Sequence, residues 1–404
     1  MQTRLTESLR DTADGREADA ILRACVHCGF CNATCPTYLL LGDELDSPRG
    51  RIYLIKQMLE GGAVTRQTLT HLDRCLTCRN CETTCPSGVR YGRLLDYGRE
   101  QAEKQVSRPG FERLRRWLLR KLLASPARFT PLLRAGQFLR PLLPVKLKRR
   151  IPPYQRSVAR PRAVHARRML ILEGCVQPAV APGINAAAAR VLDRLGIALT
   201  PVAGAVCCGA ASHHTSGVEA GRALARSNID AWWPQLESGA EAIVMTASGC
   251  GVHVKDYGQL LRDDPAYADK ARRVSGKTKD ISEILANEDL SLLKPAVKPG
   301  RKIAFQSPCT LQHGQKLGGV VEKILLDLGF VLTPVPDGHL CCGSAGTYSL
   351  LQPLLAHRLR KRKLESLLSG RPEVVATANI GCLLHLHGHT RIPVVHWLDL
   401  VADG

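Results

Sequence analysis

Cys25-Val26-His27-Cys28-Gly29-Phe30-Cys31-Asn32-Ala33-Thr34-Cys35-Pro36 is answered downstream by Cys75-Leu76-Thr77-Cys78-Arg79-Asn80-Cys81-Glu82-Thr83-Thr84-Cys85-Pro86. Both copies follow the run C-x2-C-x2-C-x3-C-P, which holds paired [4Fe–4S] cubanes. A cubane offers four irons, each needing one thiolate. Three cysteines at i, i+3 and i+6 on a wrapped loop reach three of them. The fourth, followed by Pro, leaves the loop, and in such pairs it crosses to the other cluster. The ligand sets read this way are Cys25, Cys28, Cys31 and Cys85 for one cluster, and Cys75, Cys78, Cys81 and Cys35 for the other. Zinc also uses C-x2-C pairs, but an ion with four ligands gains nothing from a duplicated four-cysteine-plus-proline run.

Sixteen cysteines in 404 residues is a metal-protein count. The polar N-terminus, MQTRLTESLRDTADGREAD, has no apolar signal-peptide core. A reducing, cytoplasmic compartment is therefore expected rather than a disulfide framework. The longest stretch free of Asp, Glu, Lys and Arg, Leu195–Val218, carries Pro201, two histidines and two cysteines, and does not read as a membrane span.

The net charge of +20 is concentrated in one place. Between Arg108 and Arg168 eighteen Lys and Arg face a single acid, Glu112, so this segment carries +17 and the rest of the chain only +3. Within it Phe111, Leu114, Trp117, Leu118 and Leu122 recur at helical spacing among Arg113, Arg116, Arg120 and Lys121. Pro126, Pro131, Pro141, Pro144, Pro152 and Pro153 are expected to break the remainder of the segment into short pieces. A basic amphipathic helix of this kind can lie on an anionic membrane face. It can also be a connector packing its leucines on the next domain. Sparse aromatics and the lack of an RNA-binding motif argue against nucleic acid.

Taken in order, residues 1–24 read as a polar arm entering a short helix with Ala20, Ile21 and Ala24 as its apolar face. Ser47-Pro48 is a helix start, followed by Ile52, Ile55 and Leu59 and closed by Gly61-Gly62. Val64–Arg74 and Tyr91–Gln105 predict two more helices. Helices therefore fill the space between the cysteine runs. Arg23, Arg49, Arg51, Arg74, Arg79, Arg90 and Arg93 flank the loops. A reduced cubane carries about one more negative charge than an oxidised one, so these cations either favour reduction or are solvated surface groups screened from the cluster.

From Met169 the chain repeats itself. MLILEGC175, V191LDRLGIALTPV202, C207-C208-G209 and AIVMTASGC250 are matched by KIAFQSPC309, I324LLDLGFVLTPV335, C341-C342-G343 and EVVATANIGC382. The first cysteine and the pair are 32 positions apart in both units; the pair and the last cysteine are 43 and 41 apart. Each unit reads strand, Cys, helix, strand, Cys-Cys-Gly, helix, strand, Gly-Cys. That alternation implies parallel sheets with ligand sites past the carboxyl ends of strands. The fold class is thus multidomain: an α-helical two-cluster domain (1–107), a basic connector (108–168), and two α/β units with parallel strands (169–296 and 297–404).

The N-terminal part resembles the helical variant of the two-cluster ferredoxin domain in the iron–sulfur subunits of succinate dehydrogenase and heterodisulfide reductase. The repeats resemble the cysteine-rich CCG domains of heterodisulfide reductase. The whole order, with DSPRGRIYLIKQMLEGG (46–62) and HLDRCLTCRNCETTCPSGVRYGRL (71–94), resembles the iron–sulfur subunits of glycolate oxidases (glycolate dehydrogenases). Relatives in lactate utilisation and anaerobic glycerol-3-phosphate dehydrogenase are close. The resemblance implies an electron-transfer subunit that carries two [4Fe–4S] clusters. It would be partnered by flavin-binding dehydrogenase subunits and pass electrons toward a quinone, in peripheral contact with the cytoplasmic face of the inner membrane. Consistent with this, no G-x-G-x-x-G follows a strand and no phosphate loop is present.

The resemblance stops at one point. Noncubane CCG sites end in C-x-x-C, whereas the equivalents here are C250-G-V-H253 and C382-L-L-H385. That argues against a catalytic disulfide reductase. Further clusters on Cys175, Cys207, Cys208 and Cys250, or on Cys309, Cys341, Cys342 and Cys382, stand beside a reading of these cysteines as structural. His213, His214, His253 and His385 are expected to be hydrogen-bonded loop or core residues.

Overall fold

The structure, a computed structural model, describes residues 1–144, 148 and 151–403. Lys146, Arg149 and Arg150 of the basic segment lie outside the described residues. The chain forms two compact units. One comprises Met1–Arg116 with Asp337–Lys363, the other Trp117–Pro336 with Leu364–Gly404.

The first unit is helical. Thr12 caps the helix Ala13–Ala24 by accepting from the Gly15 amide at 2.9 Å. Its buried face is Ala18, Ile21 and Leu22. Ala20 and Ala24, expected inside, are exposed, because the helical stripe runs one position later, through Ile21, Leu22 and Cys25. Ser47 caps Pro48–Leu59 through the Gly50 amide at 2.9 Å, with Pro48 in the first turn. Thr65 and Thr68 form a capping box at the start of Arg66–Asp73. Tyr91–Gln105 follows. Leu22, Ile55, Leu59, Leu72, Leu94 and Leu95 make one fully buried core between these helices. The two cysteine loops lie at its edge, with Cys25 and Cys81 in the core itself.

In the second unit the repeat becomes two sheets of the same design. Strands β1 (Arg167–Ile171), β2 (Ile197–Pro201), β3 (Ile243–Met245) and β4 (Thr278–Asp280) lie in the order β2-β1-β3-β4. Strands β5 (Lys302–Gln306), β6 (Val331–Leu332), β7 (Val374–Thr377) and β8 (Val394–His396) repeat that order as β6-β5-β7-β8. Every pairing is parallel. Met169, Val244, Ile303, Phe305, Val374 and Trp397 belong to one continuous core, so the two sheets share an interior. The Ser248 amide of the first repeat donates to the Ala378 carbonyl of the second (3.2 Å), and His396 Nε2 meets the Thr246 carbonyl (3.0 Å).

Gly110–Leu123 and Pro126–Leu139 are helices. Pro131, expected to break the chain, lies inside the second of these; it removes one intrahelical hydrogen bond near the N-terminus without ending the helix. Phe129 and Leu133 of that helix pack on the shared core, as a connector would.

Candidate metal centres

The residues on either side of the second cysteine take the left-handed conformation in both ferredoxin-type loops. His27 (φ 57°) and Gly29 (φ 86°) correspond to Thr77 (φ 53°) and Arg79 (φ 58°). This curls each loop so that its thiols turn inward. Cys25, Cys28, Cys31 and Cys85 line one cavity together with Cys81, Arg49, Ile52 and Tyr91. Burial raises the Cys25 thiol, and Cys85 and Cys28 add to that effect. Burial likewise pushes Cys31 up to about 11, with further contributions from Cys25, Cys35 and Cys85. Burial raises Cys81 well above its ordinary value, and Cys78, Cys75 and Cys35 raise it further. Cys85 therefore lies among the first three cysteines, and Cys35 lies near both Cys31 and Cys81. Thiols crowded out of water in this way keep their protons unless a cation takes their place, and cluster iron supplies it.

In the first repeat Cys175 stands past β1, Cys207 and Cys208 in the loop after β2, and Cys250 in the helix Ser248–Lys255 past β3. Their side chains meet. Hydrogen bonds from Cys175 and Cys208 hold Cys207 well below the usual thiol range. The bond to Cys207 and then burial raise Cys175, while bonds to Cys207 and Cys250 raise Cys208. Four sulfurs gathered in this way, Cys175 on Cys207, Cys207 on Cys208 and Cys208 on Cys250, are a donor set for soft metal.

The Cys-Cys-Gly turn has a steric cause. Gly209 and Gly343 both have φ 92°, and a Cβ at either would come within 2.9 Å of the Gly221 carbonyl or 2.8 Å of the Ala356 carbonyl. Only glycine lets each turn approach its helix, Val218–Glu237 for Gly209 and Pro353–Leu368 for Gly343.

Sequence reading missed the residues that staple the first turn. Asn228, buried on the apolar face of Val218–Glu237, accepts from the Val206 amide (2.7 Å) and donates to the Cys207 carbonyl (3.0 Å). The Tyr257 hydroxyl donates to the Cys208 carbonyl (2.7 Å). An Asn in step with Ala225, Ile229 and Trp232 was the available signal. His253 is buried, and its ring lies 5.5 Å from that of His213 and 5.7 Å from that of His214.

In the second repeat Cys341 and Cys342 belong to the first compact unit, and Cys309 and Cys382 to the second. All four are buried. The Gly343 amide donates to Cys341 Sγ (3.4 Å), and Asn379 Nδ2 to Cys382 Sγ (3.5 Å).

Several flanking arginines are paired at the surface: Arg23 with Asp19 (2.7 Å), Arg49 with Glu44 (2.7 Å) and Arg90 with Glu17 (3.4 Å). Arg51 is different, having no exposed side-chain surface. Asp43, Asp46 and His71 bring ligand atoms within 4.8 Å of one another, but both Asp46 oxygens already accept from arginines.

Comparison with known proteins agrees with this architecture. Residues 21–89 match the model of the 4Fe-4S dicluster domain, and residues 169–255 and 303–387 match that of the cysteine-rich domain. The glycolate oxidase iron-sulfur subunit of Escherichia coli (strain K12) is 59% identical over 405 residues, covering all of this chain and 99% of that protein. The probable glycolate oxidase iron-sulfur subunit of Bacillus subtilis (strain 168) is 28% identical over 94% of this chain and 93% of its own length. Lactate utilization protein A of Bacillus licheniformis is 27% identical over 53% of this chain and 88% of that protein.

Proposed function

The chain belongs to the family of glycolate oxidase iron-sulfur subunits, and from that premise we propose that it is the electron-carrying subunit of a glycolate dehydrogenase complex. The full-length identity to a glycolate oxidase subunit carries the substrate. The cysteine groups support the role.

Oxidation of glycolate to glyoxylate releases two electrons and two protons, and no nucleotide fingerprint in this sequence could receive them as hydride. A flavin on a partner subunit makes that conversion. Bound [4Fe–4S] clusters supply one-electron chemistry. The chain's own contribution is to hold and insulate them. Cys25, Cys28, Cys31 and Cys85 would hold one, and Cys75, Cys78, Cys81 and Cys35 the other. The leucine core beneath the loops keeps water from one side of the pair. Cys175, Cys207, Cys208 and Cys250 form a third donor set. Electrons then leave toward a quinone, and because no helix among the described residues is long and apolar enough to cross a membrane, a peripheral attachment would bring the chain to it.

The lactate reading is weaker, since the lactate utilization relative matches about half of this chain. The test is turnover by the purified chain alone and by the chain co-expressed with its flavin subunits, on glycolate and on lactate, with a dye acceptor. Turnover is expected only from the assembled complex and with glycolate preferred. Glycolate oxidation by the flavin-free chain would remove the electron-carrier reading, and preference for lactate would move the assignment.

A further inference from the structure

The two ferredoxin-type loops differ in what surrounds them. Around the second, two guanidiniums are buried. Arg51 and Asp46 both have 0% side-chain exposure, with Arg51 Nη2 3.2 Å from Asp46 Oδ1. Arg51 Nη1 donates to Thr37 Oγ1 (3.2 Å), which is 3.3 Å from Cys35 Sγ. Arg51 Nε donates to the His71 carbonyl (2.7 Å). Asp46 does not cancel this charge alone, because Arg74 also takes its Oδ2 (2.7 Å) and His71 Nδ1 lies 3.1 Å from its Oδ1. Arg99, buried on Tyr91–Gln105, donates to the Cys75 carbonyl (2.8 Å), to the Leu72 carbonyl (2.8 Å) and to Thr77 Oγ1 (3.1 Å). All are uncharged acceptors. Asp73 is engaged by Arg108 (2.6 Å) and Arg116 (2.8 Å). Glu82 of the same loop accepts from the Gly92 amide through Oε1, and the Arg79 side chain lies beside the same glycine. The Thr77 amide adds a hydrogen bond to Cys75 Sγ (3.4 Å).

Around the first loop, cations are matched or screened. Arg49 is part-exposed and paired with Glu44, and Arg23 with Asp19. The Met1 ammonium donates to the carbonyls of Arg23 (3.1 Å) and Cys25 (2.9 Å) at the solvent edge, where water weakens its field. Cys28 is itself exposed. Buried, poorly screened positive charge stabilises the added electron more than paired surface charge does, and hydrogen bonds to sulfur act in the same direction.

We infer that the cluster held by Cys75, Cys78, Cys81 and Cys35 is the higher-potential member of the pair, set so by the buried guanidiniums of Arg51 and Arg99. This rests on the ligand sets proposed above. An electron arriving at either cluster then comes to rest on the second. That loop is also the one met by the segment bearing Cys341 and Cys342: Asn80 Nδ2 donates to the His339 carbonyl (3.2 Å), and the Tyr348 hydroxyl to the Arg74 carbonyl (3.1 Å). The charge asymmetry therefore draws electrons toward the segment of Cys341 and Cys342. Arg51 and Arg99 are positioning residues in this scheme.

The test is an EPR-monitored redox titration of the assembled complex, with the two signals assigned through Cys28→Ser and Cys78→Ser. The wild type is expected to show the second-loop signal at the higher midpoint. Arg99→Gln should lower that midpoint and leave the first unmoved, and Arg99→Lys should restore it. Arg51→Lys should hold near wild type. Arg49→Gln, at the cavity of the first loop, should leave the second midpoint unmoved. If Arg99→Gln leaves the second midpoint in place with both signals at full amplitude, shifts both equally, or if the first-loop signal is the higher in the wild type, the inference is overturned. Absence of two cubane signals in the wild type would instead overturn the ligand sets, and the inference with them.

Discussion

His396 and Asp280 are fully buried in the last strand of each sheet, and burial moves them in opposite directions. Burial lowers His396 to about 4, although its contact with the Thr246 carbonyl works the other way. Burial raises Asp280 to about 6 against its hydrogen bonds from Ser282. For His396 the unfolded chain binds the proton first, so its contribution to stability falls as pH drops from about 6.5 to about 4. For Asp280 the folded chain binds it first, so stability rises as pH drops from about 6 to about 3.8. Each effect is worth ~3 kcal/mol at full extent, and the two nearly cancel. Thermal unfolding of His396→Gln should therefore lose less, or gain, on acidification relative to wild type, and Asp280→Asn should lose more. Parallel pH profiles for all three proteins would refute this. Neither burial was legible in sequence, because IPVVHW and KTKDI carry a strand of three residues each, too short for a period to show.

At the scale of elements, the helix Gly110–Leu123 shows where periodicity informs and where it fails. Phe111, Leu114, Trp117 and Leu118 do share a face, and all four are exposed. The charge beside them is smaller than the sequence suggests. Arg116 is buried against Asp73 (2.8 Å), and Arg120 Nη1 donates to the Thr215 carbonyl (2.6 Å). Those partners come from distant parts of the chain, which a helical wheel cannot see. Arg113 and Lys121 remain exposed to water. At roughly 1 kcal/mol for each cation near an anionic leaflet, they add about thirtyfold to what the apolar face provides. Co-sedimentation of the complex should thus favour anionic over neutral vesicles, and weaken with salt. Arg113→Gln with Lys121→Gln should remove most of that preference. Arg116→Gln should lower stability instead. Equal binding to both lipids would leave this helix as a connector only. By contrast Pro48–Leu59, Arg66–Asp73 and Tyr91–Gln105 were readable because caps, stripe and stop signals agree with one another at each.

For the whole molecule, the repeat revealed two like sheets but not the core each segment joins. Residues 337–363 belong by sequence to the second repeat, yet they are part of the first compact unit. Spacing reports a shared local fold; membership of a core depends on contacts made elsewhere. The four cysteines of the first repeat, by contrast, lie wholly within the second unit, while the ferredoxin-type loops lie wholly within the first. Their metal content should be separable. Iron per chain in the anaerobically purified complex should exceed the eight atoms that two cubanes require. Cys208→Ser removes a buried sulfur that touches both Cys207 and Cys250, and should lower iron by up to about four while both ferredoxin-type EPR signals keep full amplitude. Cys35→Ser, which alters a sulfur close to Cys81, should damage the second-loop signal first and spare the iron of the other unit. Wild-type iron retained in Cys208→Ser would make the first-repeat cysteines structural. Loss of only the first-loop signal in Cys35→Ser would reject the crossed ligand, because Cys35 would then serve the loop that contains it.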